Sequence, residues 1–147
     1  MTRVVLDANV LVSAVLVAAG NPARIVAAWR DGDVELLASP AILDEVARVL
    51  HDPRLQRRHG LDDHQIDLFA ERVRSAALLM PGKVEVKVVP EDPTDDRYLA
   101  CALEGGADYV VTGDEHLLQL SPWRGIVIVA PAAFVATELP GDGLDER

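Results

Sequence analysis

An α/β domain, with a mostly parallel sheet flanked by helices, is predicted by three observations. Half of the residues are apolar but only 4% are aromatic, so the core is built from Val, Leu, Ile and Ala, as buried parallel sheets usually are. Short β-branched runs at 3–6 and 108–112 each lead to a carboxylate, Asp7 and Asp114. Between such runs, cap-then-proline signals (Asn21-Pro22, Ser39-Pro40) announce helices. At 147 residues the chain suits one domain, able to bury on the order of two thirds of its unfolded surface. We expect that domain to span residues 1–140, with 141–147 a loose acidic tail.

The first run, Arg3 to Leu6, reads as a buried strand, and open α/β sheets bind ligands beyond the carboxyl ends of their strands. Asn9 then caps a segment to about Val17 whose valines fit helix or strand, helix being preferred. Asn21 caps a helix with Ile25, Val26 and Trp29 on one face, which Asp31-Gly32-Asp33 stops, and Val34 to Ala38 is the second strand. Ser39 caps a helix running to Leu50 and closed by Asp52-Pro53. On its wheel Ile42, Leu43, Val46 and Leu50 form an apolar arc, Asp44 and Arg48 point away, and Glu45 lies about 40° from Val49 at the rim.

Arg54, Arg57 and Arg58 belong to the one basic cluster, ended by Gly60. Asp62 or Asp63 caps a long amphipathic helix that Pro81-Gly82 terminates, and alternating residues 84–89 read as a strand with one wet face. Pro93 or Thr94 opens a helix that Gly105-Gly106 ends. Its wheel sets Asp96 among Leu99, Ala100 and Leu103, near the middle of the apolar stripe, and Asp95 about 100° away at the edge. A strand at 108–112, a short helix to Leu120, a strand at 126–129 and a helix from Pro131 complete the chain.

The net charge of −10 excludes a broad basic surface for nucleic acid. It is compatible with a nuclease in which divalent cations neutralise acids and attract a phosphodiester. The lone Cys101 excludes an internal disulfide, and no basic-then-apolar leader or 20-residue apolar span is read, so a cytoplasmic protein without a membrane span is expected. His51, His59, His64 and His116 lack zinc-like spacing, and no glycine-rich phosphate loop follows the first strand. A phosphoacceptor signalling domain would want a lysine near a late strand, whereas the lysines are Lys83 and Lys87.

Four acids remain: Asp7 and Asp114 at strand ends, Glu45 and Asp96 on helices. Each alone suits a turn, a cap or a solvated face. Together at one sheet edge they would repel unless a cation compensated, and oxygen-only ligation suits Mg²⁺ or Mn²⁺.

Four segments, VLDANVLV (5–12), SPAILDEV (39–46), DPTDDRYLA (92–100) and GADYVVTGD (106–114), resemble in order and spacing the PIN-domain family, in particular the VapC-like ribonuclease toxins of toxin–antitoxin pairs. The resemblance covers about residues 3 to 135. It implies a three-layer α/β/α fold and metal-dependent hydrolysis of RNA, with Asp7, Glu45, Asp96 and Asp114 holding Mg²⁺ or Mn²⁺. Beside these acids, Asn9, Thr112 and Asp95 are read as groups that orient ligands or a water. An antitoxin partner and a homodimer are implied in the same way, and Arg54, Arg57 and Arg58 are candidates for holding RNA phosphates. The competing reading is a non-catalytic module of the same fold that binds RNA or a partner protein.

Overall fold

The computed structural model describes residues 1–89 and 93–140. Asp92 of the third motif and the expected tail at 141–147 lie outside the described residues. Five strands form one parallel sheet in the order β3-β2-β1-β4-β5: β1 (Arg3–Leu6), β2 (Glu35–Ala38), β3 (Leu78–Leu79), β4 (Tyr109–Val111) and β5 (Val127–Val129). Helices flank it, as the aliphatic composition requires of an all-parallel sheet. α1 (Ala8–Leu16) and α2 (Asn21–Arg30) cross from β1 to β2, and α3 (Pro40–Leu50), α4 (Pro53–His59) and α5 (Asp63–Ala76) cross from β2 to β3. α6 (Asp96–Gly105) returns the chain to β4 and packs against β1, β2 and β4; α7 (Glu115–Leu118) and α8 (Pro131–Glu138) complete the set. With right-handed crossovers, the outward units and the returning α6 fall on opposite faces.

β1 is the central strand. Val4, Val5 and Leu6 are buried, and the core extends from them through Leu36 and Leu37 of β2, Val110 and Val111 of β4, Ile42 and Val46 of α3, and Leu99 and Ala102 of α6. The chain winds from β1 outward through β2 on one side and resumes at β4 on the other, so the β1–β4 boundary is the point where strand order reverses. Ligand crevices of open parallel sheets lie there, beyond the carboxyl ends.

Several local expectations are corrected. α1 is capped by Asp7, whose carboxylate accepts from the Asn9 backbone N–H, and not by Asn9. Gly20 occupies the cap position expected of Asn21, and the first helical turn includes both Asn21 and Pro22. Asp52-Pro53 ends α3 but also starts α4, because Asp52 accepts from Arg54 N and proline suits the first helical position. Asp62 is the cap of α5, in a reciprocal pair with Gln65. That helix ends at Ala76, before Pro81-Gly82, because Leu78 and Leu79 leave it to pair with Leu37 and Ala38. Residues 84–89 make no strand, and the N–H groups of Val88 and Val89 bond to a side chain, Asp96. Among the described residues no single helix is long and apolar enough to cross a membrane.

α6 reaches the sheet closely at Gly105, where a Cβ would lie 2.6 Å from Leu37 Cδ1 and 3.0 Å from Met80 Sδ. Leu37 is itself fully packed, so the contact has no slack. Gly105→Ala is expected to lower unfolding free energy in urea by about 1–3 kcal/mol; equal stability would show that the helix shifts freely. Cys101 on the same helix is buried, and burial pushes its thiol up to about 12. A disulfide reagent at pH 8 should label no thiol in the folded chain and one per chain on denaturation; rapid native labelling would place α6 away from the sheet.

Candidate active site at the carboxyl edge

Asp7 leaves β1 with its backbone N–H donating to Val111 O at 3.0 Å, which keeps it in line with β4. Its side chain turns back to cap α1, Oδ1 accepting from Asn9 N at 3.0 Å. The residue is only 5% exposed, so the carboxylate loses much of its water and needs donors in exchange. The second comes from β4: Thr112 Oγ1 donates to Asp7 Oδ2 at 2.7 Å.

Thr112 is fully buried, and its backbone N–H donates to Val129 O, so β5 fixes where its hydroxyl stands. The same oxygen accepts from Asp114 N at 3.0 Å. One hydroxyl thus joins the two strand-end acids. Asp114 caps α7, Oδ1 accepting from His116 N at 2.8 Å and Leu117 N at 3.2 Å. Asp7 and Asp114 are therefore cap residues in fact, the ordinary role each had been allowed, and they also share a hydrogen-bond bridge. Capping leaves lone pairs on both carboxylates, since an ionised carboxyl has about four.

The third contributor is Tyr98, buried on α6, whose hydroxyl accepts from Ala8 N at 3.2 Å. Burial, and then the charge of Asp7, push this phenol well above its usual range; Glu45 acts in the same sense, with Arg97 opposing.

Glu45 and Asp96 are held differently. Glu45 is gripped by two guanidiniums: Arg48 donates to it through Nε at 2.9 Å and Nη2 at 2.8 Å, and Arg97 Nη1 at 3.4 Å. The Glu45 carboxylate in turn raises the Arg48 guanidinium above its usual value. Arg97 also donates to Thr94 O at 2.7 Å and Ala41 O at 3.3 Å, pinning the start of α6 to α3. Asp96 is half-buried, Oδ1 accepting from Val88 N at 3.0 Å and Val89 N at 2.9 Å. The more buried of the pair is Asp95, 8% exposed, which reverses the wheel's ordering. The wheel used 100° per residue, but residues 93–95 form a 3₁₀ turn that rotates by about 120°.

The structure thus joins Asp7, Thr112 and Asp114 directly, with Tyr98 beside them. It leaves Glu45 and Asp96 with other partners, and among the described residues no three His, Cys, Asp or Glu side chains are grouped to hold one ion. Asn9 contributes its backbone N–H while its side chain is on an exposed residue. Arg54, Arg57 and Arg58 lie on α4, beyond the end of α3 opposite Ser39 and the sheet edge, about 16 Å along an 11-residue helix. Tyr98, Arg48 and Arg97 were not singled out beforehand. The spacing of Glu45 and Arg48, three apart on one helix, was a usable signal; the reach of Arg97 to Ala41 was not in the local pattern.

The side chains at the bridge offer oxygen atoms only. A pair of carboxylates with spare lone pairs fits a hard divalent cation of the Mg²⁺ type, which uses one or two carboxylates and completes its shell with water and phosphate oxygens.

Comparison with known proteins agrees with this architecture. The family model described as PIN domain matches residues 3–116. An uncharacterized protein of Methanocaldococcus jannaschii is 26% identical over 118 residues, covering 80% of this chain and 74% of that protein. The chain belongs to the PIN domain family, whose members are generally nucleases and typically use divalent metals.

Proposed function

We propose that the chain is a metal-dependent endoribonuclease that hydrolyses RNA phosphodiesters with an activated water, and that Mg²⁺ or Mn²⁺ is its cofactor. The observation that carries this reading is the Asp7–Thr112–Asp114 bridge at the strand-order reversal of a PIN domain. The cation, when bound, supplies charge neutralisation for the phosphodiester and lowers the pKa of water. Asp7 and Asp114 would hold it, and Glu45 and Asp96 would join by exchanging their present partners. Thr112 ties the Asp7 carboxylate to the Asp114 backbone N–H, and the Tyr98 hydroxyl fixes the turn between β1 and α1. By resemblance to the VapC-like proteins, we extend the proposal to a toxin with a protein antitoxin and a homodimeric state. A PIN-fold module that binds RNA without cleaving it is the alternative, and the grip of two arginines on Glu45 is the observation in its favour.

Asp7→Asn separates chemistry from folding, because Asn caps helices about as well as Asp but carries no charge. Cleavage of single-stranded RNA with Mn²⁺ should fall by about 10²-fold or more, with the thermal midpoint little changed. Cleavage at the native rate would remove Asp7 from the reaction.

Thr112→Val keeps the side chain's size and deletes the bridge. Mn²⁺ affinity measured by calorimetry is expected to drop about 10–100-fold, the usual effect of losing a group that orients metal ligands. Unchanged affinity would mean that the hydroxyl serves packing alone.

A further inference from the structure

The cavity between α3 and the start of α6, of about 460 Å³, is lined by Ala41, Asp44, Glu45, Arg48, Thr94 and Arg97. Its two guanidiniums differ in freedom. Arg97 is 22% exposed and held by two backbone carbonyls as well as by Glu45, so its planar fork is set in advance. Arg48 is 72% exposed and held by Glu45. A carboxylate gripped by two arginines is the arrangement that a phosphodiester, which also presents two acceptor oxygens and a charge of −1, is able to replace. Arg48, in the last turn of α3, reaches back to Glu45, and Arg97 crosses from α6 to the opening turn of α3, so the two guanidiniums meet on one carboxylate.

We propose that Arg48 and Arg97 form a binding site for a phosphate group of a single-stranded nucleic acid, and that Glu45 masks this site. As the masking carboxylate leaves, the two guanidiniums lose their counter-charge and accept the phosphate. The unmasking by a cation rests on the nuclease reading above, in which Glu45 moves to the metal. Cation and nucleic acid then bind cooperatively, each raising the affinity for the other by the same factor. Since local positive charge appears only with the cation in place, the −10 chain gains a phosphate site without a standing basic patch.

The test uses a fluorescently labelled single-stranded RNA oligonucleotide and anisotropy in EDTA, where neither metal nor cleavage contributes. Glu45→Gln should tighten RNA binding about tenfold, within the usual range of coupling between sites. The slope of log affinity against log salt should steepen by about 0.7 for each phosphate gained. Asp44→Asn removes the same charge from the same cavity without freeing an arginine, and should change affinity much less. Adding Arg48→Met or Arg97→Met to Glu45→Gln should return affinity toward the native value, Arg48 being the exposed one whose loss spares the fold. The proposal is overturned if Asp44→Asn tightens binding as much as Glu45→Gln, or if the gain survives both arginine changes. A gain that behaves as expected in a chain that neither binds Mn²⁺ nor cleaves RNA would sink the nuclease reading and leave the phosphate site standing.

Discussion

A buried carboxylate has to be given back the hydrogen bonds it loses with water, and the arrangement around Asp7 follows from that requirement. Asp7 ends the central strand, where hydrophobic packing from both faces carries it away from solvent. One oxygen is satisfied locally, by the turn into α1, and the other by Thr112, 105 residues later. The second bond only forms if β4 lies beside β1 in the observed register, with Leu6 opposite Val111. The strand pairing and the site are thus the same constraint seen at two scales. Thr112 stands one residue past that pair, its N–H taken by β5, so its hydroxyl has little choice of direction.

α6 connects this edge to the rest of the fold. At one end Gly105 brings the helix hard against Leu37, and at the other Tyr98 and Arg97 reach Ala8, the first residue of α1, and Ala41 in the opening turn of α3. A single helix therefore sets the relative positions of the chain's first and second motifs. The exposed ion pairs of the surface, such as Arg54 with Asp52, contribute little by comparison, since solvent screens them and side-chain entropy opposes them.

Much of the fold was legible because its signals are local. Ser39-Pro40, the aspartate pair Asp62-Asp63 and the glycine pair ending at Gly106 mark helix ends by chemistry confined to a few residues, and the caps stand at Ser39, Asp62 and Gly106. The strand expected at 84–89 failed because its alternation describes exposure and says nothing about partners. Leu78 and Leu79 had the free sheet edge, while Asp96 took the N–H groups of Val88 and Val89. At the site, Asp7 and Asp114 were visible as acids at strand ends, whereas the ranking of Asp95 and Asp96 was not. That ranking depends on a change from 3₁₀ to α geometry between adjacent residues, which a uniform wheel cannot represent. Arg97 escaped notice for a related reason: its partners Ala41 and Glu45 are more than 50 positions away.

The charge of the chain bears on how it can hold an anion at all. With 24 acidic and 14 basic side chains, long-range attraction of a polyanion is unavailable, and screening confines any useful attraction to about 8–10 Å. Recognition then has to come from groups fixed in place before the ligand arrives, so that little entropy is lost on contact. Arg97 meets that condition through its two carbonyl bonds, Asp7 through Asn9 N and Thr112 Oγ1, and Asp114 through its cap bonds to α7. Arg97 is anchored to α3 and the 3₁₀ turn before α6, and Asp7 to the residue that follows β4. An acidic surface and an anionic substrate are compatible when the local charges are held this rigidly.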